Sequence, residues 1–288
     1  MKAITTKQRI LNAPITRILF GLLVCFIAFI LAQQLTGKLL DLTTLDKNYR
    51  NLIKGIISSA AVIGAYSYFY KKYEKREITE FSKKGIAKYI IIGTLIGIVL
   101  QCLTILVITL SGGFEIVSIN PISNMIIPFT VAFSVAIFEE ILIRGIIFRI
   151  LEEKLGSYIS LLITAIIFGA LHLANPNSTL QSGLCVGIEA GFLMGAAYIY
   201  ARNLWFPIAI HFSWNFMQSG IFGAITSGNE KTSSLLTTKI SGSDLITGGE
   251  FGPEGTVQAI VFCLLAAFIL IQLSKKKIVN PYWKEGNN

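Results

Sequence analysis

Apolar runs about as long as a bilayer is thick recur along this chain, separated by short polar or basic segments. A membrane-spanning helix needs about 20 mostly apolar residues. Eight stretches approach that description: 15–33, 52–70, 86–111, 125–149, 157–174, 182–201, 204–225 and 256–274. The second is the least apolar, with Lys54 in its first turn. The start of the chain resembles a signal peptide, with Lys2, Lys7, Arg9 and Arg17 ahead of an apolar run. The run Leu19–Ala32 carries no clear small-residue cleavage site, so it reads as an uncleaved first helix. No internal repeat is evident. The pattern predicts an all-α, polytopic bundle of about eight transmembrane helices.

Composition agrees with that reading. Of 288 residues, 53% are hydrophobic and only 14% charged, against roughly 25% charged in soluble domains. The net charge of +9 would suit nucleic-acid binding if it were spread over one surface. Instead the basic residues fall in alternate loops. Lys71, Lys72, Lys75, Arg76, Lys83, Lys84 and Lys88 follow the second apolar stretch, Arg149 and Lys154 the fourth, Arg202 the sixth, and Lys275, Lys276 and Lys277 the last. The intervening loops 112–124 and 175–181 have no Lys or Arg, and 226–255 has two Lys against four acids. Only 34–51 is mixed. By the positive-inside rule this predicts an integral, multi-pass protein with both termini cytoplasmic, whose setting is the lipid bilayer and not a nucleic acid. The Gly/Ser/Thr-rich 226–255 segment reads as an exposed outer loop. Cys25, Cys102, Cys185 and Cys263 lie far apart in apolar runs and read as buried small residues, not disulfides or zinc ligands. The chain divides into 1–120 (three helices and the basic loop), 121–225 (a polar-cored segment) and 226–288 (outer loop, last helix and basic tail).

The middle division holds the chemistry. The only two histidines, His172 and His211, lie in apolar stretches, as do the adjacent Glu139 and Glu140. An ionisable group in lipid costs about 2.5 kcal/mol or more. Glu140 and Arg144 are four apart and share a helix face, so an internal ion pair accounts for them. It does not account for Glu139, which points about 100° away. Phe168 precedes His172 by four residues and Asn215 follows His211 by four, giving each imidazole a neighbour one turn away. Glu140 and His172 are equally distant from Gly156, where two helices turn back. Counting from Arg149 and Arg202 as well, the four groups meet at one depth, somewhat cytoplasmic of the midplane and reached from that side; Pro128 and Pro207 could add kinks. Gly183, Gly187, Gly191 and Gly195 form a ridge for close helix packing. Glu189 beside it has no partner in the sequence and reads as an interhelical hydrogen bond or a protonated carboxyl, with a site role as the alternative.

Carboxylates beside imidazoles activate water. With a divalent metal such as zinc, His172, His211 and Glu139 could be ligands, and the other carboxylate the base. Without one, Glu140 and His172 could activate water directly while His211 and Asn215 stabilise an oxyanion. Neither HExxH nor GxSxG is present. The segments EEILIR (139–144), FGALH (168–172) and HFSWN (211–215) fit EExxxR, FxxxH and HxxxN in order. Over about residues 125–220 they resemble the CAAX prenyl protease and bacteriocin-processing (CPBP or Abi) family of intramembrane endopeptidases. The resemblance implies hydrolysis of a peptide bond in a membrane-embedded, prenylated or leader-type substrate. It implies that Glu139, Glu140, His172, His211 and Asn215 line the site, with Arg144 in support. It leaves open a metalloprotease or a glutamate-activated mechanism, and the plain basic tail looks more like the family's bacterial members, which implies a bacterial cell membrane. Two other classes use such residues: a noncatalytic self-immunity or regulatory membrane protein on the same scaffold, and a proton-coupled transporter, for which the expected inverted repeats are missing.

Overall fold

The computed structural model describes residues 5–285; Lys2 lies outside them. A short α1 (Thr6–Leu11) leads into α2 (Pro14–Leu40), α3 (Lys47–Tyr73) and α4 (Ile86–Leu110). Strand β1 (Phe114–Ile119) and a 3₁₀ turn (Ile122–Met125) precede α5 (Ile126–Glu140). A π-helical turn (Ile141–Phe148) joins α5 to α6 (Arg149–His172). After α7 (Leu180–Val186) a second π turn (Gly187–Gly191) leads to α8 (Phe192–Ala201). Helix α9 (Trp205–Phe216) ends in a third π turn (Met217–Ile221). Strand β2 (Leu236–Ile240), α10 (Asp244–Thr247), α11 (Val257–Leu273) and α12 (Tyr282–Glu285) complete the chain.

Local chemistry explains the boundaries. Pro14 opens α2 at its first position, where a missing N–H is not felt. The Asp46 carboxylate caps α3 through the Asn48 N–H at 2.8 Å, and Thr179 and Ser182 form a reciprocal cap on α7. Pro128 and Pro207 each occupy the third position of their helices, within the first turn, where proline is tolerated.

Among the described residues, five helical stretches are long and apolar enough to cross a membrane: Pro14–Leu40, Lys47–Tyr73, Ile86–Leu110, Ile122–His172 and Leu180–Ala201. The expected spans 125–149 and 157–174 fall within one 51-residue stretch. It folds back at Gly156, whose φ of 72° is open to glycine at little cost. The expected 204–225 and 256–274 correspond to shorter pieces, α9 with its π turn and the 17-residue α11. An all-α polytopic membrane fold is therefore present; a count of eight spans is not established.

Large apolar side chains such as Leu19, Leu23, Ile91, Leu95, Leu265 and Phe268 stay exposed on α2, α4 and α11. In water such surface would drive association; in lipid it is solvated. Between helices, small residues bring backbones together. The glycine ridge read from the sequence faces α6: a Cβ on Gly187 would sit 2.9 Å from the Ala165 carbonyl oxygen, and one on Gly191 2.7 Å from the Ala165 Cα. Residues here must be glycine for the helices to approach at all.

The two ends of the bundle differ. At one end Glu74 receives Arg17 (2.7 Å), Arg76 (2.7 Å) and Arg149 (2.9 Å), while Glu152 receives Arg202 at 3.0 Å. The Ser157 N–H donates to the Val279 carbonyl at 2.9 Å, which ties the tail to the Gly156 bend. At the other end β1 and β2 pair antiparallel, from Phe114 opposite Ile240 to Ile119 opposite Leu236, with a bulge between Ile116 and Ser118. This pairing corrects the reading of 226–255 as a simple exposed loop. The segment folds back on the bundle: Thr238 donates to the Phe222 carbonyl at 2.7 Å, Gln218 to that of Ile225 at 2.7 Å, and Phe251 and Glu254 are buried.

Burial alone would raise the Glu74 carboxyl, but the Arg149, Arg76 and Arg17 guanidiniums outweigh it and hold it below its ordinary range. The stabilisation this supplies is present at neutral pH and is lost as pH falls through that lowered value. Removing the carboxylate leaves Arg17, Arg76 and Arg149 with only Glu80 and Glu153 as anions, so Glu74→Ala is expected to destabilise the protein by about 1.5–3 kcal/mol. Unfolding of the two proteins in detergent measures the difference, which narrows in acid.

Candidate active site

The site is built where α5, α6 and α9 converge beside the second π turn. Its innermost member is Arg144, which has no solvent exposure. One guanidinium nitrogen donates to Glu140 Oε1 at 2.9 Å. Another donates to the carbonyls of Ala190 (3.2 Å) and Gly191 (3.1 Å). Those carbonyls lie at the end of the Gly187–Gly191 π turn, where the regular helical ladder is interrupted and oxygens become free for an outside donor. The ring of Phe168 packs against the guanidinium, 4.9 Å from its centre, a favourable cation–π placement. The π turn and the arginine thus satisfy each other.

Glu140, also fully buried, passes the effect on. Its Oε1 lies 3.0 Å from His211 Nδ1. Because the same oxygen already accepts from Arg144, the imidazole must donate, so His211 presents Nε2 on its other side. That nitrogen is 3.9 Å from Glu139 Oε2, too far for a direct hydrogen bond, and this carboxylate oxygen is itself buried without a protein partner. The Glu139 side chain is 30% exposed, whereas Glu140 is 0% exposed. The 100° between neighbouring helix positions therefore separates two roles: Glu140 anchors, and Glu139 faces the open space.

His172 is the last residue of α6. Its Nδ1 is 2.8 Å from the Phe168 carbonyl, which can only accept, so its Nε2 is also left free. Phe168 is wedged between the two imidazoles, with ring centroids 4.6 Å from His172 and 6.2 Å from His211. Glu139, His172, His211 and Asn215 all line one cavity of about 320 Å³. Glu140, Arg144 and Phe168 stand behind them and hold them in place.

A small inner chamber of about 30 Å³ lies beyond the histidines, room for about one water. Glu189 faces it together with Glu254 and Cys263. One carboxylate oxygen of Glu189 and one of Glu254 are buried without a protein partner. Burial pushes the Glu254 carboxyl above its ordinary range. Sequence reasoning passed over Glu254, Ser227 and Asn175, which complete the walls. Nothing marks Glu254 in the sequence, since it sits in a glycine-rich loop whose return to the bundle depends on the β1–β2 pairing.

One expectation is corrected. The cavity is bordered by Asn175, Thr226, Ser227, Asn229 and Glu230, on the loops expected to be outermost, and not by the basic loops. Matching residue counts bring Glu140 and His172 to one level, but where a cavity opens depends on where its walls part. Here they part at the end of α6 and in the segment after α9.

A metal fits this arrangement poorly. Among the described residues, no three His, Cys, Asp or Glu side chains gather as potential ligands. The trio His172, His211 and Glu139 shares the cavity with both Nε2 atoms free, but the three side chains are not gathered around one point.

A helical membrane bundle enclosing carboxylate, imidazole and amide groups around a polar cavity defines the class: an integral membrane protein with a polar site inside it. Comparison narrows it. Residues 121–217, about a third of the chain, match the family described as type II CAAX prenyl endopeptidase Rce1-like, in keeping with the resemblance carried by the three motifs. No match was found among curated proteins or solved structures.

Arg144→Ala would leave two carbonyls without their donor and the buried Glu140 charge with His211 alone, and is expected to destabilise the protein by about 3–5 kcal/mol. Glu140→Gln keeps hydrogen-bonding atoms in place and is expected to cost less than Arg144→Ala. Denaturation of both variants in detergent tests the order; equal or reversed losses would contradict the anchoring role.

Proposed function

We propose that the protein is an intramembrane endopeptidase that cleaves a membrane-associated peptide with water activated by Glu139. One observation carries the reading: Glu139 and the unengaged Nε2 atoms of His172 and His211 face a single cavity, while Glu140 and Arg144 hold His211 from behind. The Rce1-like match supports peptide-bond hydrolysis as the reaction class.

In this mechanism a water between Glu139 and the imidazoles gives a proton to Glu139, and its oxygen attacks the carbonyl carbon of the scissile bond. His172, accepting at Nε2, orients the water. The developing oxyanion receives hydrogen bonds from the Asn215 amide and from His211 in its protonated form, whose charge Glu140 balances. The tetrahedral intermediate collapses, the C–N bond breaks, and Glu139 returns its proton to the leaving nitrogen. The products are a carboxylic acid and an amine, so one water is consumed per bond cut. Glu140 is thus a positioning residue and Glu139 the base. The reaction uses side chains alone, in keeping with the poor fit to a metal.

Membranes from cells carrying wild type or Glu139→Gln are expected to differ in their peptide content by the loss of cleavage products in the variant. Because Glu139 is partly exposed, the variant should fold normally, as its elution and unfolding in detergent would show. Products persisting unchanged in a folded Glu139→Gln protein would exclude the assignment. Cleavage by purified protein is expected to survive exhaustive chelation. Loss that added zinc restores would replace this mechanism with a metal-dependent one.

A further inference from the structure

The proposed peptidase reading leaves open which side of the membrane feeds the site. We infer that the cavity opens to the extracytoplasmic face and that its substrate is an exported or outward-facing polypeptide segment, not a cytoplasmic one; this rests on the peptidase reading above.

The argument joins a charge distribution to a geometry. One end of the bundle gathers Arg17, Arg76, Arg149 and Arg202 into ion pairs, with Lys71, Lys72, Lys83 and Lys84 exposed around them. Positive charge adjoining spans marks the cytoplasmic side. The opposite end is formed by the α2–α3 turn, β1, β2 and the loops 112–124 and 173–181; the two loops contain no Lys or Arg, and the cations Lys38, Lys47, Arg50, Lys54, Lys231 and Lys239 are matched there by Asp41, Asp46, Glu115, Glu230, Asp244 and Glu250. The chain shuttles between these ends, and the site sits near the second. His172 closes α6, sixteen residues beyond the Gly156 bend, so it stands about 24 Å from the basic end. That is most of a hydrocarbon core about 30 Å thick.

The cavity margin lies on the same side. Asn175 follows α6 by three residues, and Thr226, Ser227, Asn229 and Thr232 come from the segment after α9. This margin is polar and offers water a path to Glu139. In the other direction the fully buried Arg144–Glu140 pair and the apolar side chains of Ile141, Ile146, Phe148 and Ile150 fill the bundle. A polypeptide approaching from the basic side would have to pass through that core. One approaching from the other side meets the polar margin first.

Single cysteines test the sidedness without reference to catalysis. Asn229 and Thr232 are exposed at the margin and Lys84 at the basic end. Asn229→Cys, Thr232→Cys and Lys84→Cys are each treated, in intact cells, with a membrane-impermeant maleimide, before and after permeabilisation. Wild type supplies the background of its four native cysteines, and labelling in detergent sets the full signal. Asn229→Cys and Thr232→Cys are expected to label nearly fully before permeabilisation, and Lys84→Cys only after it. Two margin positions guard against one variant failing to fold. Labelling of the margin cysteines only after permeabilisation would overturn the inference, even in an active peptidase. Outward labelling in a protein whose Glu139→Gln form still cleaves would instead overturn the peptidase mechanism and leave the sidedness standing.

Discussion

The Arg144 guanidinium, fully buried in a membrane bundle, is the constraint on which the rest of the site depends. A cation so placed must have its donors satisfied and its charge balanced. Glu140 supplies the charge and the Gly187–Gly191 π turn supplies the carbonyls. Each demand fixes something else. The π turn needs glycines that let α6 come close, and the carboxylate oxygen that accepts from Arg144 also accepts from His211, leaving Glu140 Oε2 and Arg144 Nε without a protein partner. Position is thus handed from a helix irregularity to an arginine, to a glutamate, to an imidazole, and only then to the cavity. The cavity-lining groups lie at the end of this chain, on a scaffold with little freedom to shift them, as the proposed hydrolysis requires of its base and its oxyanion donors.

Much of this could be read in the sequence, because four-residue spacings on helices report directly on contact. Glu140 with Arg144, Phe168 with His172, and the glycines at 183, 187, 191 and 195 all meet the partners that helical geometry gives them. The same periodicity set Glu139 apart from Glu140, although it could not say which faced the cavity. That distinction depends on how α5 is rotated against α9, a tertiary property.

What was hidden lies where periodicity stops. The β1–β2 pairing joins segments more than a hundred residues apart, and alternation in so short a strand is a weak signal. Once formed, the pairing turns a glycine-rich loop into a wall of the site and brings Glu254 beside the histidines. The loop walls of the cavity were hidden for a related reason: residue counts give depth along a helix, whereas these walls come from loops that counts do not describe. The π turns were likewise invisible, since no composition rule announces them. They adjoin the site in all three places, as such irregularities often do.

The central claim is that Glu140 orients His211 through Nδ1 and leaves its Nε2 to the cavity. The chain has only two histidines, so imidazole nitrogen resonances from histidine-labelled protein in lipid nanodiscs report on this site alone. Comparing wild type with Glu140→Gln, the account predicts that one imidazole, His211, changes its Nδ1 resonance and its titration. His172, held by a backbone carbonyl, stays nearly as it was. Two imidazoles indifferent to Glu140→Gln in a folded protein would contradict it.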